Sequence, residues 1–471
     1  MTADLRPYPA YRESELRWLE RIPSHWEESR AKCLFMEIDE RSSAGKEDLL
    51  SVSHIRGVTK RSETNATMFL AKSNKGHKVC RPGDLVINTM WAWMGALGVS
   101  PHTGLVSPSY GTYRQLGRNA LLTGYAHQLL RTPQYVSEYV SRSTGIHSSR
   151  LRLYPEQFLR IPVLCPPNEE QAAIMRFLNH ATRRIADGIL AKKKLIALLN
   201  EQKQGVIQQA VTRSLVPNGS LKPSGLSWLG DIPAHWELRR LKTLTSFVTS
   251  GSRGWARYYS DAGPTFLRIG NISTTSVDLK LNRVVHVAPP ADAEGERTRV
   301  VQDDILLSIT AQMGAVGIVP PHIGEAYVNQ HTALVRLKVA TSYPRWVAYC
   351  LLSQVGKSQC QLRTNGGTKV GLTLDDVRTL LVLSPPEVEQ REIVADIDRR
   401  TLGLDSAIEA AEREIGLLRE YRTRVVADVA TGQLDVREAA AGLPAEMEGA
   451  DVVAEADDET EELLEEVADD E

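Results

Sequence analysis

Four loops in this chain carry the residue types that grip polyanions and read base edges. The richest is Ser250-Gly251-Ser252-Arg253-Gly254-Trp255-Ala256-Arg257-Tyr258-Tyr259, which joins flexible glycines to guanidinium and aromatic groups. Arginine binds phosphate or pairs through its fork with guanine edges, and tyrosine stacks or donates a hydrogen bond. Ser252, Arg253, Arg257 and Tyr258 are therefore candidate DNA-contacting residues. The nearest basic loop in the first half is Arg56-Gly57-Val58-Thr59-Lys60-Arg61, which adds Lys60 and Arg61. A second pair, Thr144 to Arg152 and Thr364 to Lys369, mixes glycine, small hydroxyls and basic groups. It adds His147, Ser148, Arg150 and Arg152 in one half, and Thr368 and Lys369 in the other. Each such loop alone is also an ordinary surface turn; their recurrence on a duplicated basic body favours the DNA reading.

Catalytic constellations are missing from the sequence. There is no Gly-x-Gly-x-x-Gly, and Gly356-Lys357-Ser358 lacks the glycine five residues earlier that a phosphate-cradling loop needs. No Asn-Pro-Pro-Tyr or Asp-Pro-Pro-Tyr is present, and the 11 histidines do not cluster with carboxylates at metal-ligand spacing. His25 and His235 stand beside Trp26 and Trp236 in a repeated element, where a structural role is expected.

The loops must be positioned by a scaffold that occurs twice. Trp18-Leu-Glu-Arg-Ile22-Pro-Ser-His25-Trp26-Glu27 returns as Trp228-Leu-Gly-Asp-Ile232-Pro-Ala-His235-Trp236-Glu237. Pro166-Pro-Asn-Glu-Glu170-Gln171 returns as Pro385-Pro-Glu-Val-Glu389-Gln390. Between them Gly83-Asp84-Leu-Val answers Asp303-Asp304-Ile-Leu, and Met94-Gly-Ala-Leu-Gly98 answers Met313-Gly-Ala-Val-Gly317. A period this long means duplicated domains rather than a solenoid. Within each, β-rich runs (Leu49 to His54, Asp84 to Asn88, Thr265 to Ile269, Ile305 to Ile309) precede helical patches (Tyr135 to Arg142, Pro344 to Gln354), so the fold class is α+β.

After each Pro-Pro the texture turns helical and proline-free, from Glu170 to about Ser214 and from Glu389 to about Gly432. The apolar stripe Ile393, Ile397, Leu404, Ile408, Ala411, Ile415, Leu418, Val425, Val429 has coiled-coil spacing. Its counterpart is Ile174, Leu178, Ile185, Ile189, Lys192, Ile196, Leu199, Val206, Ala210. Two helices of matched length bury each other most simply by packing antiparallel, holding the two domains apart; packing of each on its own domain is the alternative.

The formal net charge of −2 conceals an asymmetry, because Arg437 to Glu471 alone carries −14 and the rest of the chain +12. A basic body favours a polyanionic partner, and an acidic, stripe-free tail reads as disordered. The 5 scattered cysteines form no Cys-x-x-Cys and fit a reducing cytosol. Met1 to Trp26 is polar, and the uncharged run Ile305 to Pro321 reads as strands around a turn, not a membrane span. The expected division is residues 1–165, first domain; 166–215, first long helix; 216–384, second domain; 385–435, second long helix; 436–471, acidic disordered tail.

In the repeated Ile-Pro-x-His-Trp-Glu, the two Pro-Pro-x-x-Glu-Gln helix starts, Gly83-Asp84-Leu85-Val86 with Trp93-Met-Gly-Ala-Leu-Gly98, and Gly263-Pro-Thr-Phe266-Leu-Arg268-Ile-Gly-Asn271-Ile272, the chain resembles the specificity subunits of Type I restriction-modification systems. The resemblance covers Trp18 to Leu434, and the acidic tail departs from it. It implies two target recognition domains separated by two long helices forming an antiparallel coiled coil, a pseudo-twofold repeat. It further implies a non-catalytic, cytoplasmic subunit that recognises a bipartite double-stranded DNA site. The implied partners are two methyltransferase subunits using S-adenosylmethionine and restriction (motor and nuclease) subunits using ATP and Mg, with no cofactor in this chain. A coiled-coil scaffold with two protein-binding domains is the alternative from another class.

Overall fold

The computed structural model describes residues 5–63, 73–117, 120–145, 151–215, 219–251, 253–289, 293–339, 342–364 and 371–444. It divides into two compact units, one formed by the chain up to Lys192 and again from Arg413, the other by Lys193–Glu412. Each unit contains one mixed domain and one half of each long helix.

Both domains are built on the same plan. In the first, an antiparallel four-stranded sheet has the order Phe35–Glu37, Gly111–Gln115, Leu85–Ile87, Leu97–Val99. In the second the order is Thr245–Ser250, Thr332–Leu337, Ile305–Ser308, Val316–Ile318. The uncharged run from Ile305 is thus two antiparallel strands around a turn. Ile305 and Leu307 join the larger core of the second unit while Leu306 joins a smaller one, which is why this strand reads as a continuous apolar run rather than an alternating one. Helices Pro133–Arg142 and Pro344–Leu352 fall where the helical patches predict them. The second stops at Ser353, whose extended backbone ends one helix before Gln354–Thr364 begins.

One ion pair at the heart of each sheet is repeated. Asp84, almost fully buried, accepts Arg114 Nε and a terminal guanidinium nitrogen at 2.8 Å each, and the Arg81 amide at 2.9 Å. Asp304 accepts the same three donors, from Arg336 at 2.8 and 2.7 Å and the Val301 amide at 2.8 Å. A carboxylate shut away from water needs such donors on both oxygens, so the Asp of the repeated Asp-Leu/Ile motif is a structural anchor.

The opening and closing segments of each domain are tied together. Glu27–Arg30 pairs antiparallel with Pro162–Cys165, and Glu237–Arg240 with Leu381–Ser384. Immediately beyond, Glu170 in the first turn of the first long helix accepts His25 Nε2 at 2.7 Å and Trp26 Nε1 at 2.9 Å. Glu389 repeats this with His235 at 2.8 Å and Trp236 at 3.1 Å, and also accepts Ser214 Oγ at 2.7 Å. The next residue finishes the clamp: Gln171 donates to the Pro166 carbonyl and accepts the Leu122 amide, while Gln390 donates to the Pro385 carbonyl and accepts Ser342 Oγ and the Tyr343 amide. His25 and His235 are structural, as expected.

The long helices run Asn168–Thr212 and Glu387–Ala430, each about 65 Å at 1.5 Å per residue. Within the first unit Ile174, Leu178 and Ala181 share a core with Val425, Val429 and Ala430, and Lys192 Nζ lies 2.5 Å from Glu414. Within the second, Ile207, Ala210 and Val211 share a core with Ile393, Val394 and Ile397, and the buried Lys203 lies 2.5 Å from Asp405. Partners descend one helix as they ascend the other, so the packing in each unit is antiparallel. Two details correct the periodicity: Lys192 leaves the seam for Glu414, and Ile207 is fully buried in place of Val206. A straight helix drifts by about 20° per heptad against a 3.5-residue repeat, which moves the buried position by one.

The expected acidic tail from residue 436 also starts too early. Val436 and Ala440 are fully buried in the first core, a short helix spans Arg437–Ala441, and Arg437 stacks 5.1 Å from the Tyr8 ring centre. Two apolar residues on one face suffice to dock this segment; residues 445–471 lie outside the described ones. At the end of the second helix Gly432 has φ +76°, and a Cβ there would stand 2.6 Å from Pro23 Cδ, so close packing on the first domain's opening element requires glycine.

Two stability predictions follow from these anchors. Burial pushes the Glu389 carboxyl up, but hydrogen bonds from Ser214, His235 and Trp236 outweigh it and hold the pKa below the usual value. A depressed pKa stabilises the fold above the ordinary Glu range near ~4.3 and loses that contribution as pH falls through the folded value. Urea titrations of Glu389→Gln should therefore show a shallower acid limb, and Glu389→Ala a loss of about 1–3 kcal/mol at neutral pH. Arg336→Ala should cost about 2–3 kcal/mol in the same assay, less than for a wholly buried pair because Arg336 is one-third exposed.

Candidate nucleic-acid interface

In both sheets the same end gathers the loops. The strands Thr245–Ser250 and Ile305–Ser308 finish there and Thr332–Leu337 begins there, because each outer strand is antiparallel to the central one. The first domain repeats this with Phe35–Glu37, Leu85–Ile87 and Gly111–Gln115. A further segment crosses each end: the Leu153 amide donates to the Thr89 carbonyl at 3.0 Å, and the Leu372 amide to the Ile309 carbonyl at 2.7 Å. These crossings directly follow the glycine and hydroxyl loops singled out in the sequence.

In the second domain this end opens into a cleft of about 550 Å³, lined by Ser250, Gly251, Arg253, Thr310, Gln330, His331 and Thr373 among others. Gly251 makes it possible: its amide donates to the Asn329 carbonyl at 3.1 Å, and a Cβ would lie 1.9 Å from the Val328 oxygen. Arg253 is exposed on the cleft wall. Four residues on, Arg257 is exposed and stacks 4.8 Å from the ring centre of Tyr258, which packs edge-on against the buried Trp255. Trp255 in turn stacks on Phe266 at 5.6 Å, so a small aromatic core fixes the loop that carries Arg253 and Arg257.

The first domain presents different chemistry at its sheet end. Trp91 is 50% exposed and Met90 36%. Arg152 is exposed beside Met90 Sδ at 3.9 Å, and its backbone pairs with Thr144. Asn88 Nδ2 donates to the Tyr110 hydroxyl at 3.1 Å. Burial pushes the Tyr110 phenol up, and the Arg61 guanidinium opposes that shift. Lys60 closes the strand Gly57–Lys60 half-buried, one residue before Arg61.

The structure places Arg152 at the end of the first domain's sheet and Arg253 at that of the second, with Arg257 and Tyr258 on the adjoining turn, while Arg61 directly follows the strand Gly57–Lys60 of a separate hairpin. His147, Ser148, Arg150, Ser252, Thr368 and Lys369 lie outside the described residues. Sequence reasoning missed Trp91, Thr310, Gln330 and His331. Gln330-His331 sits in a short turn between Ala326–Val328 and Thr332–Leu337 with no glycine or basic cluster to mark it, and Trp91 was hidden beside a motif read only as a repeat marker. Among the described residues no group of three or more His, Cys, Asp or Glu could hold a metal ion, and no helix is long and apolar enough to cross a membrane.

No family model matches the chain. A Methanocaldococcus jannaschii protein named a putative type I restriction enzyme MjaX specificity subunit is 24% identical over 316 residues, 64% of this chain and 65% of that one. The EcoBI specificity subunit of Escherichia coli is 22% identical over 64% of each. The EcoKI specificity subunit of Escherichia coli K12 is 21% identical over 387 residues, 79% of each. The match to the first two thus spans just under two thirds of their length. A solved structure described as addressing complex assembly and conformational transition of the type I R-M system has a TM-score of 0.55 at 14% identity, over 88% of this chain and 99% of that one; at that identity it bears on the fold. By its duplicated motifs, its α+β fold with two long helices and these relatives, the chain is a homologue of Type I restriction enzyme specificity subunits.

Proposed function

We propose that this chain is the non-catalytic DNA-reading subunit of a Type I restriction-modification assembly, recognising a split double-stranded site through one half-site per domain. The observation that carries the reading is a pair of matching sheet ends with unlike side chains: Trp91, Met90 and Arg152 on one, Arg253, Thr310, Gln330 and His331 on the other. One scaffold with two different surfaces suits one kind of task on two targets. Basic groups supply salt-sensitive grip on phosphate, and a few base-edge contacts supply sequence.

The partners in this reading are two methyltransferase subunits, which bring S-adenosylmethionine, and restriction subunits, which bring ATP and Mg, all acting in the cytoplasm. Leu195, Leu198 and Leu417 are exposed on the long helices and offer apolar ridges to such partners. The acidic tail serves solubility or competes mildly with DNA for the basic body.

DNA binding is tested by salt. Affinity of the full chain, with its modification subunits, for duplex DNA should fall along a steep straight line in a log–log plot. A flat line would favour the protein-binding scaffold. Arg253→Ala should relax only one half-site, and Arg152→Ala only the other, each by roughly 1–3 kcal/mol if a base contact is lost; selection from a randomised duplex pool reads both. Spacing is proposed to follow helix length. Four residues inserted near Leu199 add about 6 Å of helix, or about two base pairs, while nearly keeping the apolar stripe in phase. The same half-sites with a spacer one or two base pairs longer are the expected outcome, read by sequencing methylated adenines; an active complex with an unchanged spacer would defeat it.

A further inference from the structure

Among the described residues, the cleft of the second domain contains a polar atom left without a partner. Gln330 Oε1 is buried in the cleft wall with no hydrogen-bond partner among the described residues. Its amide nitrogen is committed, standing 2.8 Å from His331 Nε2. His331 Nδ1 is in turn 3.1 Å from Thr310 Oγ1. With the amide donating to Nε2, the ring must carry its proton on Nδ1 and donate it to Thr310. The imidazole is wedged between two partners, and in this arrangement the end of the Gln330 amide left over is the acceptor.

An acceptor withdrawn from water without a donor is a cost that proteins rarely leave uncorrected. What completes it must be a neutral donor that enters a cleft beside an arginine. Phosphate is excluded because it brings only acceptors. Among base edges in the major groove the donors are the exocyclic amines of adenine N6 and cytosine N4, while guanine and thymine show acceptors there. Arg253, exposed and also lining the cleft, can hold the adjoining phosphate or a guanine. Gly251 and the Leu372 crossing keep the walls in place.

We propose that Gln330, oriented by His331 and Thr310, reads an exocyclic base amine in the half-site of the second domain. This rests on the DNA-reading function and adds to it a residue and the chemical group it selects.

The test uses the full chain assembled with its modification subunits and a pool of duplexes randomised across the split site. Wild type should prefer adenine or cytosine at one position of one half-site by about tenfold. Gln330→Leu should erase that preference while the other half-site and the spacing stay unchanged, which reports that the variant is folded. Gln330→Glu keeps an acceptor and should keep the amine-bearing base. Purine in place of adenine, or 2-pyrimidinone in place of cytosine, removes the amine at that position. The correct deletion should weaken wild type about tenfold and leave Gln330→Leu unmoved, which also identifies the base. A Gln330→Leu assembly that selects the wild-type sequence with undiminished preference overturns the proposal. So does joint loss of both half-sites in both variants, which would assign Gln330 to the fold. A wild-type assembly that selects no split site overturns the DNA-reading function itself.

Discussion

The architecture depends on a carboxylate in the first turn of each long helix. Glu170 and Glu389 sit where the helix dipole favours negative charge, yet both are largely withdrawn from water. Their donors come from the histidine and tryptophan of an opening element more than a hundred residues earlier in the chain. A domain therefore closes only when its first and last segments meet, and the helix leaves from that closure in a fixed direction. Gln171 and Gln390 extend the constraint to the neighbouring helical layer. Once the ends are pinned, the residues between can change without altering where the helix starts.

That freedom explains how duplicated domains come to differ. The anchors are repeated almost bond for bond: Asp84 with Arg114, Asp304 with Arg336, the carbonyl of Thr89 with Leu153, that of Ile309 with Leu372. The side chains projecting from the same sheet ends are not repeated. One end is apolar and aromatic with an arginine at its side; the other is a polar cleft with a histidine, a glutamine and an arginine. The residues that anchor the scaffold are thus different from those that line its sheet ends.

The repeated opening element, the Pro-Pro-x-x-Glu-Gln helix starts and both long helices were legible because they rest on local signals: short motifs, absence of proline and sustained periodicity. The strand run from Ile305 was legible for the same reason. The one-residue slip from Val206 to Ile207 was not, since it accumulates along the helix and depends on what lies opposite. The docking of Val436 and Ala440 was hidden by the charge that follows them. Gln330 and His331 were invisible because a turn of two polar residues has no pattern; only the fold shows that they share a cleft with Arg253. Arg152 was chosen for its type, and only the crossing of Leu153 over Thr89 explains why it stands at the sheet end.

In the proposed function, two copies of one scaffold read two different sequences. Its most direct test is the DNA sequence around adenines methylated when the chain is co-expressed with its modification subunits in an otherwise unmethylated host. The predicted result is one split site whose two half-sites differ in sequence and stand at a fixed spacing. Identical half-sites in inverted repeat, or methylation that does not depend on the chain, would contradict it.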